Sequence, residues 1–198
     1  ELNRTWLKKQ LMHGAWIEPF GGFRYVKIID FYRRDNYERT LFPGIPTPLG
    51  DTERLDSFNA AWQNDMVGGQ LGIRWYKDYR RWNFSGDVKA FALQNFQNYN
   101  QKTTSETTFY PGTPDVSDTN PDSVFYEISD EFATNDSEFA YGFEVRAEAA
   151  YRVTRDVSLR VGFTCLNFAD GVARGADLRE NDQDVFMYGV TFGATLNR

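Results

Sequence analysis

Seven stretches of this chain alternate apolar and polar residues, and short and long connections join them by turns. The clearest runs from Phe139 to Tyr151. Phe139, Tyr141, Phe143, Val145, Ala147, Ala149 and Tyr151 fall on one side, and Ala140, Gly142, Glu144, Arg146, Glu148 and Ala150 on the other. Residues two apart share a face of a strand, so this ribbon is apolar on one side and charged on the other. In a soluble protein the apolar side packs on a core. In a transmembrane barrel it meets lipid while the charged side lines a wet interior.

The same pattern recurs along the chain. A strand from about Ala15 to Phe31 carries Ile17, Phe23, Tyr25, Ile29 and Phe31 on one face, against Glu18, Arg24 and Asp30. Its phase is imperfect, because Trp16 and Phe20 fall with the charges, and Gly21-Gly22 is read as a bulge that resets the register. Asp65 to Tyr76 places Leu71, Ile73 and Trp75 opposite Arg74, and Trp82 to Asn95 places Trp82 and Val88 opposite Asp87 and Lys89. Val157 to Phe168 sets Leu159, Val161 and Phe163 against Arg160, and Val185 to Asn197 sets Tyr188, Val190 and Phe192 against Gly189, Thr191 and Gly193. The opening Glu1–Trp6 reads as the tail of a strand that started earlier.

Three long connections are expected, at about 32–58, 96–137 and 169–184, with tight turns at Lys8–His13, Lys77–Arg81 and Thr154–Asp156. Antiparallel strands with tight turns at one end and long loops at the other make an up-and-down transmembrane β-barrel. A structureless loop as long as 96–137 is foreign to a compact soluble domain and ordinary on the outer rim of a barrel. The whole chain, 1–198, is expected to form one barrel domain. About seven strands are represented. An even strand number then implies at least one strand upstream of Glu1 and at least eight in the intact barrel.

Composition agrees with this reading. Aromatic residues make up 17% of the chain, with 17 Phe and 11 Tyr, and these residues favour strands. The net charge of -6 argues against a nucleic-acid partner. No run of 18 apolar residues occurs, which excludes a membrane-spanning helix and leaves a barrel open. The expected partners are membrane lipid and small hydrophilic solutes, with a surface partner for the loops as a further option.

The site residues follow from the faces. Glu18, Arg24, Arg74, Asp87, Lys89, Glu144, Arg146, Glu148, Arg152 and Arg160 are expected to line the lumen. Leu71, Ile73, Phe143, Val145, Leu159, Val161 and Phe192 are expected to face lipid. Trp16, Trp75, Trp82 and Tyr151 are expected to form an aromatic belt at the short-turn side. The lumen charges either set the selectivity of a pore or pair and plug a narrow barrel.

Catalysis and metal binding find little support. His13 is the only histidine and lies in a short turn, away from any nucleophile pattern, so no enzyme is expected. Asp118-Thr-Asn-Pro-Asp122 opens like a calcium loop, but Pro121 and Ser123 stand where such a loop places other residues, and position twelve is Ser129 rather than Glu. The acidic stretch Asp177–Asp184 reads as a solvated loop. Cys165 can form no intrachain disulfide and reads as a small apolar residue on the outward face. No cofactor or metal is expected.

Three segments, Glu18-Pro-Phe-Gly-Gly-Phe-Arg-Tyr25, Asn64-Asp-Met-Val-Gly-Gly-Gln-Leu-Gly-Ile-Arg-Trp75 and Phe192-Gly-Ala-Thr-Leu-Asn-Arg198, resemble the porin-like outer-membrane β-barrel proteins of planctomycete bacteria. The resemblance spans most of the chain outside the long loops and is to the C-terminal part of such proteins. It implies a barrel architecture and an outer-membrane location. The terminal Leu196-Asn-Arg198 departs from the terminal Phe or Trp of many outer-membrane proteins. The function expected is a porin-like passive channel for small hydrophilic solutes. A closed structural or adhesive barrel with partner-binding loops, or a soluble lipocalin-like binder, are the alternatives.

Overall fold

A computed structural model describes residues 1–6, 9–11, 14–40, 52–109, 124–176, 178 and 182–196. Eight strands succeed one another: β1 (Leu2–Thr5), β2 (Lys9–Gln10), β3 (Ala15–Thr40), β4 (Thr52–Tyr79), β5 (Trp82–Phe109), β6 (Val124–Arg152), β7 (Val157–Val172) and β8 (Gln183–Leu196). They form one antiparallel sheet in the order β1-β3-β4-β5-β6-β7-β8, with β2 beside β1 on the same edge of β3. Every long strand pairs with its neighbour in sequence, the up-and-down arrangement that the alternation predicts.

Two expectations are corrected. The β3–β4 ladder runs unbroken from Ala15↔Lys77 to Thr40↔Thr52, so Gly21-Gly22 is no bulge. Trp16 and Phe20 simply belong to the inner face. Gly22 has another use: a Cβ there would come within 2.0 Å of the Leu2 carbonyl oxygen, so glycine is what lets β1 lie against β3.

The long connections are also shorter than the sequence suggests. Residues 32–40 pair with 52–60, and 96–109 with 124–137, as continuations of the strands. Of these two connections, the tips 41–51 and 110–123 lie outside the described residues. Strands β3 to β6 are therefore 26 to 29 residues long, against the roughly ten that cross a bilayer. Backbone hydrogen bonds hold a ladder together whatever the side chains, so polar, Thr-rich stretches such as Thr103–Phe109 remain strand where their alternation fades.

The sheet curls. Arg24 on β3 and Glu144 on β6 are three strand spacings apart, about 14 Å on a flat sheet, yet their side chains meet at 2.6 Å. The concave face carries Phe20, Met66, Phe91, Leu93, Ala140, Phe168 and Val185, all buried. The convex face carries Leu71, Val88, Phe143, Leu159 and Phe192, all exposed, Phe192 to 83%.

The convex apolar band has definite limits. At the turn side it begins with the row Tyr79↔Trp82↔Tyr151, and at the loop side it ends with Tyr25↔Val67 and Phe139. The next outward row, Lys27↔Asp65↔Phe96↔Ser137, turns polar. Thirteen residues of β5, Trp82–Gln94, span the band; their twelve steps cover about 40 Å along the strand, or roughly 30 Å once a tilt near 40° is applied. A hydrocarbon layer has that thickness. The remainder of β3–β6 projects beyond it.

Candidate functional site

The concave face is the candidate site, and its charges sit where the strands place them. Within the band, rows of inward residues stack from the turn side. Glu18, Arg74, Asp87 and Arg146 form one row and Lys89 and Glu144 the next. Arg24 reaches down from β3 to join them. Arg24 contacts Glu144 at 2.6 Å and Glu1 at 3.6 Å, while Lys89 contacts Glu144 at 3.0 Å, Asp87 at 3.4 Å and Glu1 at 3.6 Å. Two cations thus face three carboxylates, and Arg24, Asp87 and Lys89 are all buried. The Arg24 guanidinium also lies 4.7 Å from the centre of the Phe91 ring, a cation–π contact that offsets part of its desolvation.

The other predicted lumen residues lie nearer the turns and stay wetter. Arg146 pairs with Glu148 at 3.2 Å, Arg74 stacks on Phe20 at 5.1 Å, and the Arg160 side chain lies across Gly193. Arg152 meets Asp78 at 3.9 Å on the exposed turn rim. The structure therefore gathers Arg24, Asp87, Lys89 and Glu144 into one cluster and spreads the rest along the mouth.

The predicted lipid set, Leu71, Ile73, Phe143, Val145, Leu159, Val161 and Phe192, shares the convex face, with Val145 half-buried between Val88 and Cys165. Of the belt residues, Trp75, Trp82 and Tyr151 are convex, and Trp82 packs on Tyr151 (4.8 Å) and Phe84 (5.8 Å). Trp16 does not belong with them: it pairs with Tyr76 in phase with Phe20 and Arg24, on the concave side. Cys165 is a free, half-buried thiol in phase with the convex set. His13 and Asp118–Asp122 lie outside the described residues. Among the described residues, no three of His, Cys, Asp and Glu converge as metal ligands.

One feature of the site was not legible as such. The stretch following Asp170, read from the sequence as the start of an external loop, folds into the concavity. Gly171 makes the turn with φ +79°, where an added Cβ would meet the Phe139 carbonyl at 2.5 Å, so only glycine fits. The wall then supplies partners for the backbone. Asn64 clamps Ala173 from both sides, its Nδ2 donating to the Ala173 carbonyl and its Oδ1 accepting the Ala173 N–H, each at 2.9 Å. Asn95 Nδ2 donates to the Gly171 carbonyl at 2.7 Å and to Asn64 Oδ1 at 2.8 Å. The Gly175 N–H donates to Asp30 Oδ2 at 2.9 Å, and the Tyr99 hydroxyl lies 3.1 Å from the Ala176 carbonyl.

Val172 and Ala173 are wholly buried, Val172 among Met66, Phe91, Leu93 and Phe168, and Ala173 with Ala60, Trp62 and Tyr99. An inward peptide segment thus sits across the interior on the loop side of the charge cluster. Its wall residues were findable: Asn95, Gln97 and Tyr99 keep the inward phase of Asp87 and Lys89, once β5 is allowed to run past Asn95.

Above this segment the pair Asp35 and Asp56 sits on the projecting strands. Hydrogen bonds from Arg33 and Ser57 hold the Asp35 carboxyl below its ordinary range, and those from Ser105 and Arg54 do the same for Asp56.

A search of curated proteins returns no match to this chain. A family model described as "Putative beta barrel porin-7 (BBP7)" matches residues 3–196, which takes in every strand of the sheet save the first residue of β1. With an up-and-down antiparallel sheet, an apolar convex belt of bilayer thickness and a charged concave face beneath that match, the chain belongs to the beta barrel porin-7 family.

Proposed function

We propose that this chain forms the wall of an outer-membrane β-barrel acting as a passive channel for small hydrophilic solutes, with no chemical step. The observation that carries the reading is the partition of faces. Apolar side chains from Trp82 to Phe139 point outward over a bilayer's thickness, while the charged and amide side chains of the band point inward, beside a smaller apolar set that includes Phe20, Phe91 and Leu93. A soluble barrel would hold the reverse arrangement. The outer-membrane location rests on the family and on that belt. The solute path runs past Arg74, Arg146 and Glu148 at the turn side, then the Arg24–Lys89–Glu144 cluster, and narrows at residues 171–176.

A specific observation favours a second reading, a closed structural barrel. The segment at Val172 and Ala173 and the apolar residues around it fill the concavity at their level. Planar-bilayer recordings on the full-length refolded protein separate the two. Stepwise conductance supports the channel; silence from protein that has demonstrably inserted overturns it and leaves the closed barrel. A monodisperse, cooperatively folding sample free of detergent would overturn both.

A further inference from the structure

On the loop side of the inward segment, the projecting strands form an open cleft of about 390 Å³ lined by Tyr32, Arg34, Asn36, Asp56, Phe58 and Thr103, with Ala176 of the inward segment at its edge. Small-molecule pockets run from roughly 300 to 1,000 Å³, so the space suits one or two sugar rings. Its position is set by the fold. Tyr32, Arg34 and Asn36 are successive inward residues of β3; Asp56 and Phe58 are inward residues of β4, and Thr103 of β5.

The chemistry of the lining is selective. Tyr32 and Phe58 pack edge to face, with centroids 6.1 Å apart at 70°, so neither ring turns freely. Around this aromatic corner stand a donor-only group (Arg34), an acceptor-only group (Asp56) and two groups that do both (Asn36, Thr103). Asp56 already carries Arg54, so an anion drawn to Arg34 would also face the Asp56 carboxylate, and a cation drawn to Asp56 would also face Arg34 and Arg54; neither sign of charge finds an unopposed partner. A neutral polyol has hydroxyls that both donate and accept, and C–H faces that rest against an aromatic ring. Asp56 stays ionised, with hydrogen bonds from Arg54 (2.9 Å) and Ser105, and retains lone pairs for a ligand hydroxyl.

We propose that this cleft is a binding station for a neutral sugar, which holds the solute at the loop-side entrance above residues 171–176. The proposal rests on the channel reading for its biological sense but is tested apart from it. The full-length refolded protein in detergent is titrated with maltose by calorimetry, with glucose 6-phosphate and glucosamine as charged comparators. Saturable maltose binding is expected, with the charged sugars at least several-fold weaker. Phe58→Ala and Arg34→Gln should each weaken maltose by about tenfold, while Lys102→Ala, on the convex side of the same strands, should leave it unchanged.

Phe58 also packs against the Trp62–Tyr99 cluster. Asp56→Asn and Thr103→Val, which keep volume, therefore serve as second variants and should each cost several-fold. The proposal is overturned if folded protein shows no saturable maltose binding, if all four cleft variants bind as the parent does, or if glucose 6-phosphate binds more tightly. Binding without conductance would sink the channel and leave the station; conductance without binding would do the opposite.

Discussion

Asn64→Leu tests the inward segment most directly, because one side chain of similar volume removes a two-sided clamp. Asn64 is fully buried and bonds both the N–H and the C=O of Ala173, each at 2.9 Å. Leucine leaves both groups orphaned. Each buried orphan costs about 1–3 kcal/mol, so the docked segment loses roughly 2–6 kcal/mol relative to an undocked one whose backbone water can solvate. The lower figure alone shifts the docking equilibrium by about 30-fold.

The global fold should survive, because the strand ladders do not pass through Asn64's side chain. The assay is amide hydrogen exchange in detergent or vesicles, read at Val172–Gly175, beside single-channel recording. Exchange at Ala173 should quicken by at least about 30-fold, with exchange in β5 unchanged, and unit conductance should rise. If Ala173 exchanges as in the parent while the barrel remains folded, Asn64 does not hold the segment and the constriction argument fails.

Other consequences follow from the same geometry. Val145→Arg places a charge on the convex band and should cost about 2–4 kcal/mol in equilibrium unfolding from lipid vesicles; a harmless result would invert the faces. Arg24→Leu strands Glu144 beside Lys89 alone and should cost about 3–5 kcal/mol, much of it recovered in Arg24→Leu/Glu144→Gln, so a double variant no better than the single would refute the cluster. Gly22→Ala forces a Cβ onto the Leu2 carbonyl and should free residues 1–6 to proteolysis while β3–β6 stay protected. For the projecting strands, the depressed Asp35 and Asp56 carboxyls stabilise the fold above the ordinary carboxylate pKa of about 4 and lose that contribution as pH falls through their lower folded values. Protease resistance of 52–57 should then be flat from about pH 7 to 5 and fall below about pH 4; a decline beginning above pH 5 would contradict this.

The faces were legible wherever lipid or core demands strict alternation. Phe143 and Glu144 could be assigned inward or outward from spacing alone, since a one-residue slip would bury one and expose the other wrongly. Beyond the apolar band that demand disappears. Outward residues such as Asn98, Asn100, Glu131 and Asn135 meet water on the convex side, so nothing on that face distinguishes strand from loop, and the ladder that continues there is a property of the backbone. Trp16 misled for a related reason: its type suits a headgroup belt, but its phase with Phe20 places it inside. The inward segment was hidden because its hydrogen bonds are made by backbone groups of Gly171, Ala173 and Gly175, which carry no side-chain signature. Only the wall that receives them, Asn64 and Asn95, has one.

The sheet's two edges carry one more argument. β1 and β8 each bond on one side only among the described residues, and β1 and β2 cover β3 only from Trp16 to Phe23. Strand direction reverses at every step from β3 to β8, and again from β3 to β1, so β1 and β8 run the same way. Joining them directly would make a parallel seam. A second copy related by an axis along the membrane normal brings the same two edges together and meets the same obstacle. An antiparallel closure therefore takes an odd number of strands between β8 and β1. A lipid-facing edge left open is excluded, because each unpaired N–H or C=O in hydrocarbon costs several kcal/mol, about the price of a whole mutation. In the full-length protein in bilayers, the β8 amides that do not bond β7, within Phe186–Phe192, should be as slow to exchange as those of β5. Were they to exchange as fast as exposed turn amides such as Arg80, β8 would border water or nothing, and the sheet would not be the wall of a closed barrel.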